Sequence, residues 1–167
     1  ETLGERSMVL YVIRHGKAHP DSPTGRDRDR ALKPKGYRQA AYLGQALRER
    51  EDRPTLIVTS TFRRAHETAE RINDDLGAEF VSDTRLCVDE PVSLAVDLIA
   101  EHTDHGALCI VGHNPQLEYL CAALSGGIGA PPVRVRTGEA FEFAIDSNDP
   151  LQGARLIGSL RLGDEPS

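Results

Sequence analysis

The sequence has no CxxC pair, and its three cysteines, Cys87, Cys109 and Cys121, are odd in number. A disulfide framework is therefore not expected, and a reducing, cytoplasmic setting is. No apolar run comes close to the ~20 residues needed to span a bilayer. The opening ETLGERS has no apolar stretch of the kind a signal peptide carries. No membrane partner is expected. An excess of positive charge is missing too, because the 167 residues carry a net charge of −6. That excludes a broad nucleic-acid surface and leaves room for a local anion site. No repeat and no low-complexity linker divides the chain.

What is present reads as one domain. Apolar residues make up 39% and charged residues 28%, ordinary values for a globular chain. A chain of this length buries about two-thirds of its unfolded surface. Met8 directly precedes the first strand-like run, so the domain is placed at 8–163, with 1–7 an N-terminal extension or a cloning remnant. Residues 8–13, MVLYVI, form a continuous β-branched run, the pattern of a strand buried on both faces. A polar loop follows, and Pro34 opens a helix with Tyr37, Ala40, Ala41, Gly44 and Leu47 on its stripe. A second strand is predicted at 55–59, followed by a helix carrying Phe62, Ala65, Ala69, Ile72 and Leu76 and closed by Gly77. Pro91 starts a third helix with Leu94, Leu98 and Ile99 inward. Residues 107–111, ALCIV, read as another buried strand, with Gly112, His113, Asn114 and a helix through Leu124 behind it.

The C-terminal part alternates with period two at Phe141, Phe143 and Ile145 and again around Leu156, Leu160 and Leu162. This predicts half-exposed strands in an antiparallel hairpin across the turn SNDPLQG. The whole predicts an α/β fold, a three-layer α/β/α sandwich with a mostly parallel mixed sheet.

Ligands of open α/β sheets bind beyond the carboxyl ends of the strands. Arg14-His15-Gly16 follows the first strand, Ser60 with Arg63 and Arg64 follows the second, and Gly112-His113-Asn114 follows ALCIV. Two histidines and at least two arginines thus converge on one sheet edge. No comparable set of carboxylates does, so no metal and no cofactor is expected. Arginine binds phosphate oxygens through a planar fork, helix N-termini add N–H donors, and a neutral imidazole is a nucleophile toward phosphorus.

These blocks resemble the histidine phosphatase superfamily (phosphoglycerate mutase-like), and within it the short SixA-type protein-phosphohistidine phosphatases. The matching residues are Arg14-His15-Gly16, Leu32-Lys33-Pro34-Lys35-Gly36, Thr59 to Ala65 with Glu67-Thr68-Ala69, and Val111-Gly112-His113-Asn114-Pro115. They run in family order from about Val9 to Leu124. The resemblance implies that His15 accepts the phosphoryl group while Arg14, Arg64 and His113 hold its oxygens. It also implies that Arg30 reaches the substrate, and it selects Arg64 over Arg63. Lys33 and Thr61 stand where relatives often have a Ser or Thr cap and a Pro. The glutamate proton donor of the larger phosphoglycerate mutase branch has no clear counterpart. Asp89 and Glu90 are the nearest acids, and spacing selects neither.

A missing proton donor favours a phosphoramidate over a phosphoester, because imidazole is the better leaving group. The expected partner is a protein bearing phosphohistidine. The rivals are a phosphomonoesterase for a small phosphorylated metabolite, a phosphate-binding module without turnover and, further off, a mutase. Arg26, Arg28 and Arg30 alternate with Asp27 and Asp29, which reads as a solvated loop. His102 and His105 lack a third ligand and read as a surface pair rather than a zinc site. Cys109 reads as core packing, and His19 and His66 carry no signal of their own.

Overall fold

The computed structural model describes residues 7–146 and 148–163. In chain order it forms β1 (Ser7–Arg14), α1 (Pro34–Arg48), β2 (Leu56–Thr59), α2 (Arg63–Leu76), β3 (Glu79–Ser82), α3 (Val92–Glu101), β4 (Ala107–Gly112), α4 (Gln116–Gly126), β5 (Ala140–Asp146) and β6 (Arg155–Leu160). The continuous β-branched runs become the inner strands, where both faces are covered. The sheet order is β3-β2-β4-β1-β5-β6. The first four strands are parallel, and β5 and β6 are antiparallel to their neighbours. One face packs Leu10, Val12, Val58 and Ile110 against α3 and α4 through Leu98, Leu117 and Leu120. The other packs Tyr11, Ile13, Ile57 and Val111 against α1 and α2 through Leu43, Leu47, Ala69 and Ile72. This is the expected three-layer α/β/α sandwich with a mixed, mostly parallel sheet.

Several details differ from the sequence reading. β3 was not anticipated, because EFVS is a short edge strand whose residues are mostly exposed. β5 is not half-exposed. It lies between β1 and β6, and its alternate residues are buried on both sides. Glu142, which suggests a wet face, is buried and paired with Arg50 at 3.2 Å. On α1 the buried stripe is Gly36, Gln39, Ala40, Leu43, Gly44 and Leu47, so Ala41 is only half-buried and Tyr37 turns outward and is exposed. The cause is backbone crowding. Gly36 must face inward, because its Cα sits against the Lys17 carbonyl and the Gly16 loop. On α3, Ala95 joins Leu98 and Ile99 in the core, while Leu94 is only half-buried. Ser7 already belongs to β1, residues 1–6 of the expected extension lie outside the described residues, and so does Ser147 of the expected turn.

Candidate active site

A parallel strand that hands over to a helix places the residue after the strand, and the first turn of the helix, at one edge of the sheet. Here β1 delivers Arg14 and His15, β2 delivers Ser60 and the start of α2, and β4 delivers His113 and Asn114. Backbone bonds tie the three exits together: His15 N–H donates to Gly112 O at 3.1 Å, and Ser60 N–H donates to Val111 O at 3.0 Å.

His15 is buried, 7% exposed. Its Nδ1 lies 2.7 Å from the carbonyl of Gly16. A carbonyl only accepts, so Nδ1 carries the proton and the lone pair is on Nε2. Arg64 Nε donates to that Nε2 at 3.3 Å. Burial, with Arg64 and Arg14 close by, pushes the imidazole down to about 3, so the ring is neutral at neutral pH. Gly16 is held in turn by Thr68, whose Oγ1 accepts from Gly16 N–H at 3.0 Å and donates to Arg64 O at 2.7 Å. A Cβ on Gly16 would stand 2.7 Å from the Gly36 carbonyl oxygen, so the loop passes where only glycine fits.

His113 faces His15, with ring centroids 5.2 Å apart. Burial first, then the neighbouring charges, lowers it to about 2. Its Nε2 is 2.8 Å from Ser60 Oγ. The Ser60 hydroxyl has one proton to give, and an imidazole nitrogen at 2.8 Å is a better acceptor than the Cys87 sulfur at 3.5 Å. Nε2 then accepts, Nδ1 carries the hydrogen, and this buried N–H has no partner among the described residues. Phe62 packs edge-on against the ring, 5.2 Å between centroids.

Arg64 is the arginine that turns in. Arg63, one residue earlier, points to solvent and pairs with Glu67. Arg64 lies over Phe62 and gives its two terminal nitrogens to the Asp27 carbonyl at 2.9 Å and the Asp27 carboxylate at 3.0 Å. Arg14 donates to Val135 O at 3.2 Å, while its Nε is buried without a partner among the described residues. Burial pulls both guanidiniums below their ordinary value, yet arginine stays charged.

Arg30 stands further back. It donates to His19 O at 2.6 Å and to Asp27 at 2.8 Å, so it meets Arg64 only through Asp27. Burial raises the Asp27 carboxyl, but hydrogen bonds from Arg30 and Arg64 outweigh it and hold the group below the usual range. Asp27 is thus ionised at neutral pH and is a poor proton donor. Asp89 is exposed and Glu90 half-buried, and neither bonds to the two histidines or to Arg14 or Arg64 among the described residues. Sequence reasoning missed Asp27, Ser60 as partner of His113, and Thr68. For Ser60 and Thr68 the available signal was their position inside the quoted blocks. Asp27 gave none, because its loop has no period.

The described residues hold no cluster of three or more potential metal ligands, and no helix is long and apolar enough to cross a membrane. Residues 10–87 match the histidine phosphatase superfamily, branch 1. No curated protein sequence matches the chain. Among solved structures, the protein histidine phosphatase SixA complexed with tungstate is similar in fold, with a TM-score of 0.81 at 20% identity over 92% of this chain and 97% of that one. A chain from Agrobacterium tumefaciens assigned as phosphohistidine phosphatase SixA gives 0.74 at 25% identity over 92% and 97%. A mycobacterial glucosyl-3-phosphoglycerate phosphatase gives 0.63 at 19% identity over 91% and 98%.

Proposed function

We propose that this chain, whose residues 10–87 match the histidine phosphatase superfamily, hydrolyses phosphohistidine on a protein through a phosphorylated His15. The observation that carries this reading is the fixed tautomer of His15: Nδ1–H is spent on Gly16 O, and the Nε2 lone pair faces the Arg64 guanidinium. A neutral imidazole oriented in this way is a nucleophile before substrate arrives.

The chemistry takes two steps. Nε2 attacks phosphorus, the bond from phosphorus to the substrate imidazole breaks, and that imidazole leaves with the electron pair and takes a proton from solvent. Water then attacks the phosphoryl on His15, inorganic phosphate departs, and Nε2 regains its lone pair. Charge grows on the equatorial oxygens in each step. Arg64, Arg14 and the unpartnered Nδ1–H of His113 are the donors for it. The Arg64 Nε–H that caps the lone pair at rest passes to a phosphoryl oxygen as the nucleophile engages. Arg30 contributes by holding Asp27, which holds Arg64.

Among the described residues no acid bonds to either histidine, which favours phosphohistidine. A phosphoester needs its leaving oxygen protonated, and Asp27, the carboxylate bonded to Arg64, is kept ionised. The fold shared with SixA, a protein histidine phosphatase, supports the same substrate. A small phosphorylated metabolite is the second reading, favoured by the fold shared with the glucosyl-3-phosphoglycerate phosphatase. The three cysteines are all unpaired, which fits a reducing, cytoplasmic setting.

Hydrolysis of a phosphohistidine-bearing protein, beside a panel of metabolite phosphoesters and with EDTA present, tests the proposal. Turnover that survives EDTA and disappears in His15→Ala is expected, with a labelled phosphoenzyme trapped from wild type only. Preference for a metabolite would move the assignment to the second reading. Phosphate binding without turnover of anything would reduce the chain to a binding module.

A further inference from the structure

The last two strands bring a second set of charges to the active edge. β6 runs parallel to β1, because each is antiparallel to β5. Residues leaving β6 and residues entering β5 therefore end beside Arg14. There they line a cleft of about 400 Å³ with Arg14, Asn114, Arg134, Arg136, Thr137 and Arg161 on its walls. Among the described residues its one carboxylate is Glu118.

The charges of this cleft are only partly neutralised from within. Arg136 pairs with Glu139 at 2.9 Å. Arg161 donates to the Thr137 carbonyl at 2.9 Å and Arg14 to the Val135 carbonyl at 3.2 Å, both neutral acceptors that position a guanidinium and leave its charge in place. Arg134 is exposed and forms no ion pair or hydrogen bond among the described residues. Among the described residues three guanidiniums thus answer to Glu118 alone, on a chain whose net charge is −6. The excess sits beside Arg14, which also borders the His15 site.

We infer that this cleft is a specificity subsite that takes an acidic side chain of the phosphoprotein, lying next to its phosphohistidine. Forked guanidinium donors at fixed positions recognise a carboxylate in the way they recognise a phosphoryl oxygen. A shallow cleft rimmed by an exposed arginine suits a group carried on a protein surface. The identity of the occupant rests on the phosphohistidine reading, whereas the anion preference of the cleft does not.

The test uses the full chain and its Arg134→Glu variant, which alters an exposed position. Binding is followed by fluorescence anisotropy for two unphosphorylated histidine peptides, one with glutamates flanking the histidine and one with alanines. Turnover is followed for the same peptides after chemical phosphorylation, and for phosphorylated hydroxy acids. The acidic peptide is expected to bind wild type about tenfold more tightly than the alanine peptide, and Arg134→Glu to erase most of that difference. The specificity constant for the phosphorylated acidic peptide should fall in parallel. Equal binding of the two peptides by wild type, or a preference that survives Arg134→Glu, would overturn the subsite. Binding of the acidic peptide without turnover of either phosphopeptide would sink the proposed function and leave the cleft standing. An Arg134-dependent preference for a phosphorylated hydroxy acid, with no peptide binding, would overturn the choice of a protein occupant.

Discussion

His15 and His113 are 7% and 2% exposed, and loss of water holds them neutral down to about pH 3 and about pH 2. Unfolded, each titrates near 6.5. The unfolded chain therefore binds these protons first, so each histidine withdraws stability as pH falls below about 6.5. Between pH 7 and pH 5 the loss is on the order of 2 kcal/mol per histidine. Urea midpoints should fall over that interval, and fall less steeply in His113→Gln. The same neutrality predicts that kcat/KM on phosphohistidine substrates shows no acid limb near pH 6.5 from His15. Ser60→Ala frees the His113 tautomer and should lower kcat about tenfold or more, while Ser60→Thr restores most of it; single-turnover kinetics would show which. The two histidines and Arg14 were legible in the sequence, because each follows a recognisable strand. Choosing Arg64 over Arg63 was not legible from spacing. Adjacent helix residues differ by about 100° in direction, and which of them turns in depends on where α2 docks.

At the scale of elements, the loop after His15 and the start of α1 meet backbone to backbone. A Cβ on Gly36 would collide with the Lys17 carbonyl, and one on Gly16 with the Gly36 carbonyl. Gly36→Ala lies in a helix, where alanine would ordinarily gain about 1 kcal/mol. Overpacking against immovable backbone costs more, typically 1–3 kcal/mol, so a net loss is expected in thermal melts. Activity should fall with it, because the Gly16 carbonyl that fixes the His15 tautomer shifts. β1, β2 and β4 were readable because strands buried on both faces need continuous apolar runs. β5 was misread because Glu142 looks solvated, and only the fold brings Arg50 to it. β3 left no mark, since an exposed edge strand of four residues needs no hydrophobic pattern.

For the molecule as a whole, the sheet divides into two parts with different neighbours. β1 and β4, which carry the two histidines, are each paired on both sides. β6 is an edge strand paired only through β5, and most of its residues are exposed or half-buried. Edge elements with few buried contacts open at a free energy below that of global unfolding. Amide exchange should accordingly be faster along the edge strands, Arg155–Leu160 and Glu79–Ser82, than along β1 and β4. As urea rises, the anchor of Arg161 on Thr137 should loosen before His15 is disturbed. A partially denatured population would then still cleave a minimal phosphoramidate after losing discrimination between acidic and neutral peptides. The chain would become promiscuous before it became inactive, and the gap between those two midpoints would measure how independently the hairpin unfolds from the parallel strands.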